Sequence, residues 1–115
     1  MPKHESSVSL RHMLDHAREA YTLVQNKSQA DLDADRLLNL ALVRLLEIIG
    51  EAASRIAPED RAHYAGIPWP QIIGMRNRLI HGYDLVDFEI LWQTVLTFPL
   101  VIRSAHPSGL AAERP

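Results

Sequence analysis

The chain has 115 residues, 12 Lys and Arg against 14 Asp and Glu, a formal net charge of −2 and no cysteine. One domain is the expectation at this length, with enough surface to bury for a single core without cross-links. The missing cysteines exclude disulfides, thiol catalysis and cysteine-ligated zinc. The mild acidity excludes a broadly basic nucleic-acid binder, so any such contact is local to a few cations.

In chain order, the segment from Met1 has no apolar stretch behind a charged one, so no signal peptide is expected there. A first helix is predicted over Ser7–Asn26, from Val8, Leu10, Met13, Leu14, Ala17, Ala20, Tyr21 and Val24 at spacings of three and four. Lys27 to Gln29 forms the turn. A second, longer helix is predicted over Asp31–Ile56, with Asp31, Asp33 and Asp35 near its positive end. Leu38, Leu42, Leu45, Ile49, Ala52 and Ile56 make one apolar stripe, and Leu37, Leu40, Ala41 and Ile48 widen it. This should be the central helix, packed inside the protomer and open to a partner on its other side.

The polar line of that helix is Arg44, Glu47, Glu51 and Arg55. Two carboxylates four residues apart repel by a few tenths of a kcal/mol, about 0.2–0.5, on a helix. Either cations from Arg76 or Arg78 lie opposite, or the line is solvated and Glu51 pairs with Arg55. Pro58 should open a short helix to Tyr64, which Gly66 ends. Pro68 opens another, carrying Ile72, Ile73, Met75, Leu79 and Ile80 to near Gly82. A last helix is expected from Asp87 as cap to Ser104, burying Phe88, Leu91, Trp92, Val95, Leu96, Leu100 and Val101, with Pro99 as a kink. The predicted fold is an all-α antiparallel bundle of four main helices and one short one over residues 1–105, with 106–115 as a flexible tail. No apolar run reaches the roughly 18 residues of a membrane span, and a cytoplasmic location is expected.

The chemistry gathers where the fourth main helix ends: Arg76, Asn77, Arg78, His81, Gly82 and Tyr83. Guanidinium forks fit phosphate oxygens, and histidine exchanges a proton near neutral pH. The set suits a held phosphodiester. It also suits a plain basic helix end, with cations near the last carbonyls. On a continuous helix Asn77 and His81 share a face and Arg78 neighbours His81, while Arg76 points away from His81. A left-handed Gly82 would end the helix and free His81, and a two-fold dimer could bring one motif to its copy. His12 and His16, four apart, have a metal-compatible spacing, but no further clustered ligand accompanies them. Trp69 and Trp92 read as core more readily than as base-stacking platforms.

At these residues the chain resembles the HepT-like proteins of the HEPN superfamily (higher eukaryotes and prokaryotes nucleotide-binding domains). The likeness rests on Arg76, Asn77, His81 and Tyr83, on Leu45–Ala53, on Ile67–Met75, and on Val86, Asp87 and Trp92. It covers roughly residues 10 to 102. The resemblance implies a homodimeric, metal-independent endoribonuclease that needs no cofactor and leaves 2′,3′-cyclic phosphate ends. Arg76 and His81 would be catalytic, with Asn77, Arg78 and Tyr83 in support; Glu51 is added as a supporting residue from its place on the polar line of the second helix. It further implies a toxin neutralised by a nucleotidyltransferase antitoxin of the MNT type; some of these antitoxins transfer AMP to the motif tyrosine, here Tyr83. The competing expectation is an inactive HEPN dimer that binds nucleotide or protein.

Overall fold

The computed structural model describes residues 3–81 and 85–105; within them, the side chains of residues 3–5, 76, 80, 81, 85 and 105 are not described. The fold is all-α, as expected. Helix α1 spans Lys3–Leu23, α2 Gln29–Ala34, α3 Arg36–Ser54, α4 Pro58–Arg61, α5 Trp69–Ile73, α6 Met75–Leu79 and α7 Phe88–Ala105. A single 3₁₀ turn, Ala62–Tyr64, follows α4. Two two-residue strands, β1 Ile80–His81 and β2 Leu85–Val86, pair antiparallel with Ile80 opposite Val86 and His81 opposite Leu85.

Three long helices make the scaffold. Helix α1 packs on α3 and α7, and α3 carries α5 and α6 on another side. The expected α1 stripe is buried from Leu10 to Ala20, and the helix begins at Lys3 rather than Ser7. It ends before the turn in which Asn26 takes a positive φ of 64°, a conformation that asparagine tolerates. The Asp31 carboxylate then accepts the Ser28 N–H at 2.7 Å, the returning half of a capping box.

The predicted helix over 31–56 is two helices. The backbone breaks at Asp35, at φ −115° and ψ 93°, and the Asp35 carboxylate accepts the Leu38 N–H at 3.0 Å. An aspartate side chain that satisfies an orphan N–H offers the backbone an alternative to continuing the helix. Asn39, buried under the break, donates Nδ2 to the carbonyls of Leu32 (3.2 Å) and Asp35 (3.4 Å) and so ties α2 to α3. Beyond it the expected stripe is buried throughout, from Leu38 to Ile56. The residues expected to widen it are not: Leu37 is 81% and Leu40 48% exposed.

The connection after α3 is held by polar side chains. Arg61 Nε donates to the Ile56 carbonyl at 2.8 Å. The Ser6 hydroxyl donates to the buried Asp60 carboxylate at 2.7 Å, tying the start of α1 to α4. Trp69 is buried, as expected, and its indole N–H reaches the carbonyls of Arg61 (3.1 Å) and Tyr64 (3.2 Å).

Helix α7 starts as predicted, with the Asp87 carboxylate accepting the Ile90 N–H at 3.0 Å. Its buried face departs from expectation beyond Pro99. Leu91, Val95, Phe98 and Ile102 are buried, whereas Leu100 is 66% exposed. The alignment that buries Leu91 and Val95 continues at steps of three and four through Phe98 and Ile102, which leaves Leu100 outside. Pro99 lies inside α7 without ending it. Among the described residues no helix is long and apolar enough to cross a membrane. The tail expected over 106–115 lies outside the described residues.

Candidate functional site

The helix predicted from Pro68 to near Gly82 is interrupted twice. Helix α5 ends at Ile73, and Gly74 separates it from α6. The close approach of α3 fixes α5 in place: a Cβ on Gly50 would stand 2.9 Å from the Ile72 carbonyl oxygen. A second change comes after Leu79, where the chain turns from helix into β1. The Asp87 N–H closes this end by donating to the Leu79 carbonyl at 2.7 Å.

This arrangement corrects the expected geometry of the motif. Arg76, Asn77 and Arg78 lie on α6, and His81 lies on β1, so no continuous helix relates them. The shared face of Asn77 and His81, the Arg78–His81 adjacency and the opposed directions of Arg76 and His81 all assumed helical turns through residue 81. Those relations no longer follow from the backbone. The helix stops two residues before His81, so Gly82 is not what ends it. Gly82 and Tyr83 lie outside the described residues, as do the side chains of Arg76 and His81. What is fixed is the mount. Met75 and Leu79, flanking Arg76, Asn77 and Arg78, are both fully buried, and the side chains of Asn77 and Arg78 are exposed.

Beside this mount lies a groove of about 320 Å³. Arg44, Glu47, Gly50, Glu51 and Ser54 of α3 form one wall, and Ile73 and Met75 face them across the α5–α6 joint. Arg44 is one cation that answers the two carboxylates. Its guanidinium lies 3.2 Å from Glu51 and 3.6 Å from Glu47. The sequence offers Arg76 or Arg78 to both carboxylates, or Arg55 to Glu51; the Arg76 side chain lies outside the described ones. Arg44 stands three and seven residues before the two glutamates, on the same helical face, and that spacing was the signal available for it. The Arg44 and Glu51 side chains are 63% and 57% exposed, so their pairing contributes little stability, under about 1 kcal/mol. Glu47, at 21%, is the more enclosed carboxylate. Glu51, expected in support, sits in the groove wall next to the start of α6.

The His12–His16 pair occupies α1. The rings meet edge to face, and His16 Nδ1 is 2.7 Å from the His12 carbonyl oxygen, which engages that nitrogen as a donor. Among the described residues, no group of three or more His, Asp or Glu side chains is arranged to hold a metal ion.

Comparison with known proteins places these features in a lineage. Residues 13–99 match the family described as ribonuclease HepT-like. A protein of Caldanaerobacter subterraneus subsp. tengcongensis, named as a candidate RNase, is 40% identical over 87 residues, covering 76% of this chain and 78% of its own. Another candidate RNase, from Methanocaldococcus jannaschii, is 33% identical over 94 residues, covering 82% of this chain and 78% of its own. A Thermococcus cleftensis protein named "Probable ribonuclease HepT" is 36% identical over 86 residues, covering 71% and 78%. No solved structure matches the chain.

Proposed function

Because the chain belongs to the ribonuclease HepT-like family of the HEPN superfamily, we propose that it is a metal-independent endoribonuclease acting through Arg76 and His81. The observation that carries this reading is the family match over residues 13–99, within which the full motif, Arg76, Asn77, His81 and Tyr83, stands intact.

RNA supplies its own nucleophile. His81 takes the proton of a 2′-hydroxyl, the 2′-oxygen attacks the adjacent phosphorus, and the bond to the 5′-oxygen breaks. That oxygen leaves with a proton, and the products carry a 2′,3′-cyclic phosphate and a free 5′-hydroxyl. A positioned acid–base group typically contributes about 10²–10⁴-fold. Arg76 binds the phosphate and the charge that develops on it in the transition state. Asn77 orients the phosphate or the imidazole, Arg78 contacts the strand, and Tyr83 touches substrate or donates a proton. The exposure of Asn77 and Arg78 supports contact with a large substrate.

The working form is a homodimer with the site at its interface. The exposed Leu37 and Leu40 support this, because Leu37 lies on the α3 face that also carries Arg44 and Glu51. In the cell the chain acts as the toxin of a toxin–antitoxin pair, and an MNT-type nucleotidyltransferase neutralises it by transferring AMP to Tyr83. The added nucleotide would place a negative charge and a bulky base beside the motif.

The test is incubation of the purified chain with total RNA in EDTA, followed by chemical mapping of the new ends. Cyclic phosphate ends that decline about 10²–10⁴-fold in His81→Ala are expected. Cleavage that needs a metal ion, or that His81→Ala leaves intact, would sink the mechanism. Absence of cleavage by a folded, unmodified dimer would point to the binding-module alternative. Antitoxin-dependent incorporation of AMP that persists in Tyr83→Phe would remove that residue as the target.

A further inference from the structure

Outside the motif itself, we infer that Asp87 is a positioning residue for His81. Its side chain caps α7 while its backbone N–H clasps the end of α6, and the two bonds together fix where β1 carries the histidine. The inference rests on the ribonuclease reading, in which His81 moves the proton.

The ladder around His81 cannot hold itself. Strands β1 and β2 have two residues each, and an isolated two-stranded pair is marginal in water. His81, opposite Leu85, lies at the end away from α6, and Ile80, opposite Val86, lies nearer to it. One step further in, the Asp87 N–H donates to the Leu79 carbonyl at 2.7 Å. Leu79 is the last residue of α6, so its carbonyl has no partner within that helix. Both sides of this bond are anchored. The Leu79 side chain is fully buried, and Val86 and Phe88, the neighbours of Asp87, pack against the core. His81 stands two residues beyond Leu79, about 7 Å by strand geometry, so a small rotation at the base displaces it.

The Asp87 side chain sets the direction of that N–H. Asp87 belongs to neither β2 nor α7. Its carboxylate accepts the Ile90 N–H at 3.0 Å, the bond by which a cap residue is kept in its non-helical conformation. Without a side-chain acceptor the first turn of α7 loses that partner, and the Asp87 backbone is free to turn. Arg76 is mounted differently. It lies on α6 between the buried Met75 and Leu79, ahead of the clasp. Loosening the clasp therefore moves His81 relative to Arg76, and the chemical step suffers while RNA binding stays. A misplacement of about 1 Å can cost on the order of 10²-fold in rate.

The test compares full-length Asp87→Ala and Asp87→Asn for steady-state RNA cleavage and for exchange of the residue 87 amide by NMR. Asp87→Ala should lower kcat about 10–100-fold with KM within about twofold. Asparagine also accepts the Ile90 N–H and should restore kcat. Asp87→Gly removes the same oxygen at little cost to the helix start and replaces the alanine variant if that fails to fold. Asp35→Ala, which removes the matching cap of α3, should leave kcat unchanged and so controls for cap loss in general. Exchange of the residue 87 amide should quicken about tenfold or more in Asp87→Ala and stay slow in Asp87→Asn. A kcat as low in Asp87→Asn as in Asp87→Ala would overturn the assignment, as would a rise in KM alone or unchanged exchange in Asp87→Ala. Exchange is read without RNA. A chain that cuts no RNA but loses protection in Asp87→Ala would overturn the ribonuclease reading and leave the clasp standing.

Discussion

The scaffold of α1, α3 and α7 and the limb formed by α5, α6 and β1 solve the problem of stability differently. Helix α3 runs 19 residues and buries an unbroken stripe from Leu38 to Ala53. Helices α5 and α6 have five residues each, too short to be stable alone, and are kept helical by what they pack on. Three fully buried side chains, Ile72, Met75 and Leu79, peg the limb to the core. The cleavage motif is on the limb. Its residues are thus carried by a segment whose order depends on tertiary contacts, while the scaffold supplies the fixed wall opposite. A site built this way can be displaced by small changes in packing that leave the scaffold folded.

The largest effect that could break this contrast comes from Met75→Ala, expected to cost about 2–5 kcal/mol as a core truncation. If the limb opens on its own, the loss appears as faster amide exchange in α5 and α6, and the chemical-denaturation midpoint moves far less than in Ile49→Ala on the scaffold. Equal midpoint shifts in the two variants would show that limb and scaffold unfold as one unit.

A smaller effect is expected from Gly50→Ala. The new Cβ would lie 2.9 Å from the Ile72 carbonyl oxygen, a backbone atom that cannot rotate away, so α5 must shift. A loss of about 1–3 kcal/mol is expected, together with reduced RNA cleavage. Full activity at unchanged stability would mean that the spacing between α3 and α5 is not what places the motif.

The smallest is Asp35→Ala, which removes the cap of α3 and should lower stability by about 0.5–2 kcal/mol in a thermal melt. Because it acts at the far end of α3 from the groove, cleavage by the folded fraction should not change. A loss of activity beyond the loss of folded protein would show that the scaffold is less rigid than the contrast supposes.

Much of this was legible in the residues themselves. The buried stripe of α3, the Asp87 cap, the Pro58 helix start and the burial of Trp69 each follow from local patterns of period, capping and side-chain chemistry. The family was legible too, from segments in a fixed order. The breaks were not. Asp35 is the third of three aspartates at a helix start, and any of them could have favoured the positive end; which one leaves the helix to cap Leu38 depends on Asn39 being buried beneath it. The end of α6 at Leu79 depends on Val86 pairing with Ile80 and on the Asp87 N–H reaching the Leu79 carbonyl. Helical periodicity through residue 81 contains no sign of either.

The sequence by itself determined an all-α fold, its apolar stripes and the residues of its motif, because periodicity and reactive side chains are properties of a few neighbouring positions. Only the tertiary structure decided that Arg44 pairs with Glu47 and Glu51, that Leu37, Leu40 and Leu100 stay outside the core, and that His81 lies on a strand rather than on the helix that carries Arg76. Each of these depends on which segments compete for the same carbonyls, the same burial and the same space, and that competition is settled only when the whole chain packs.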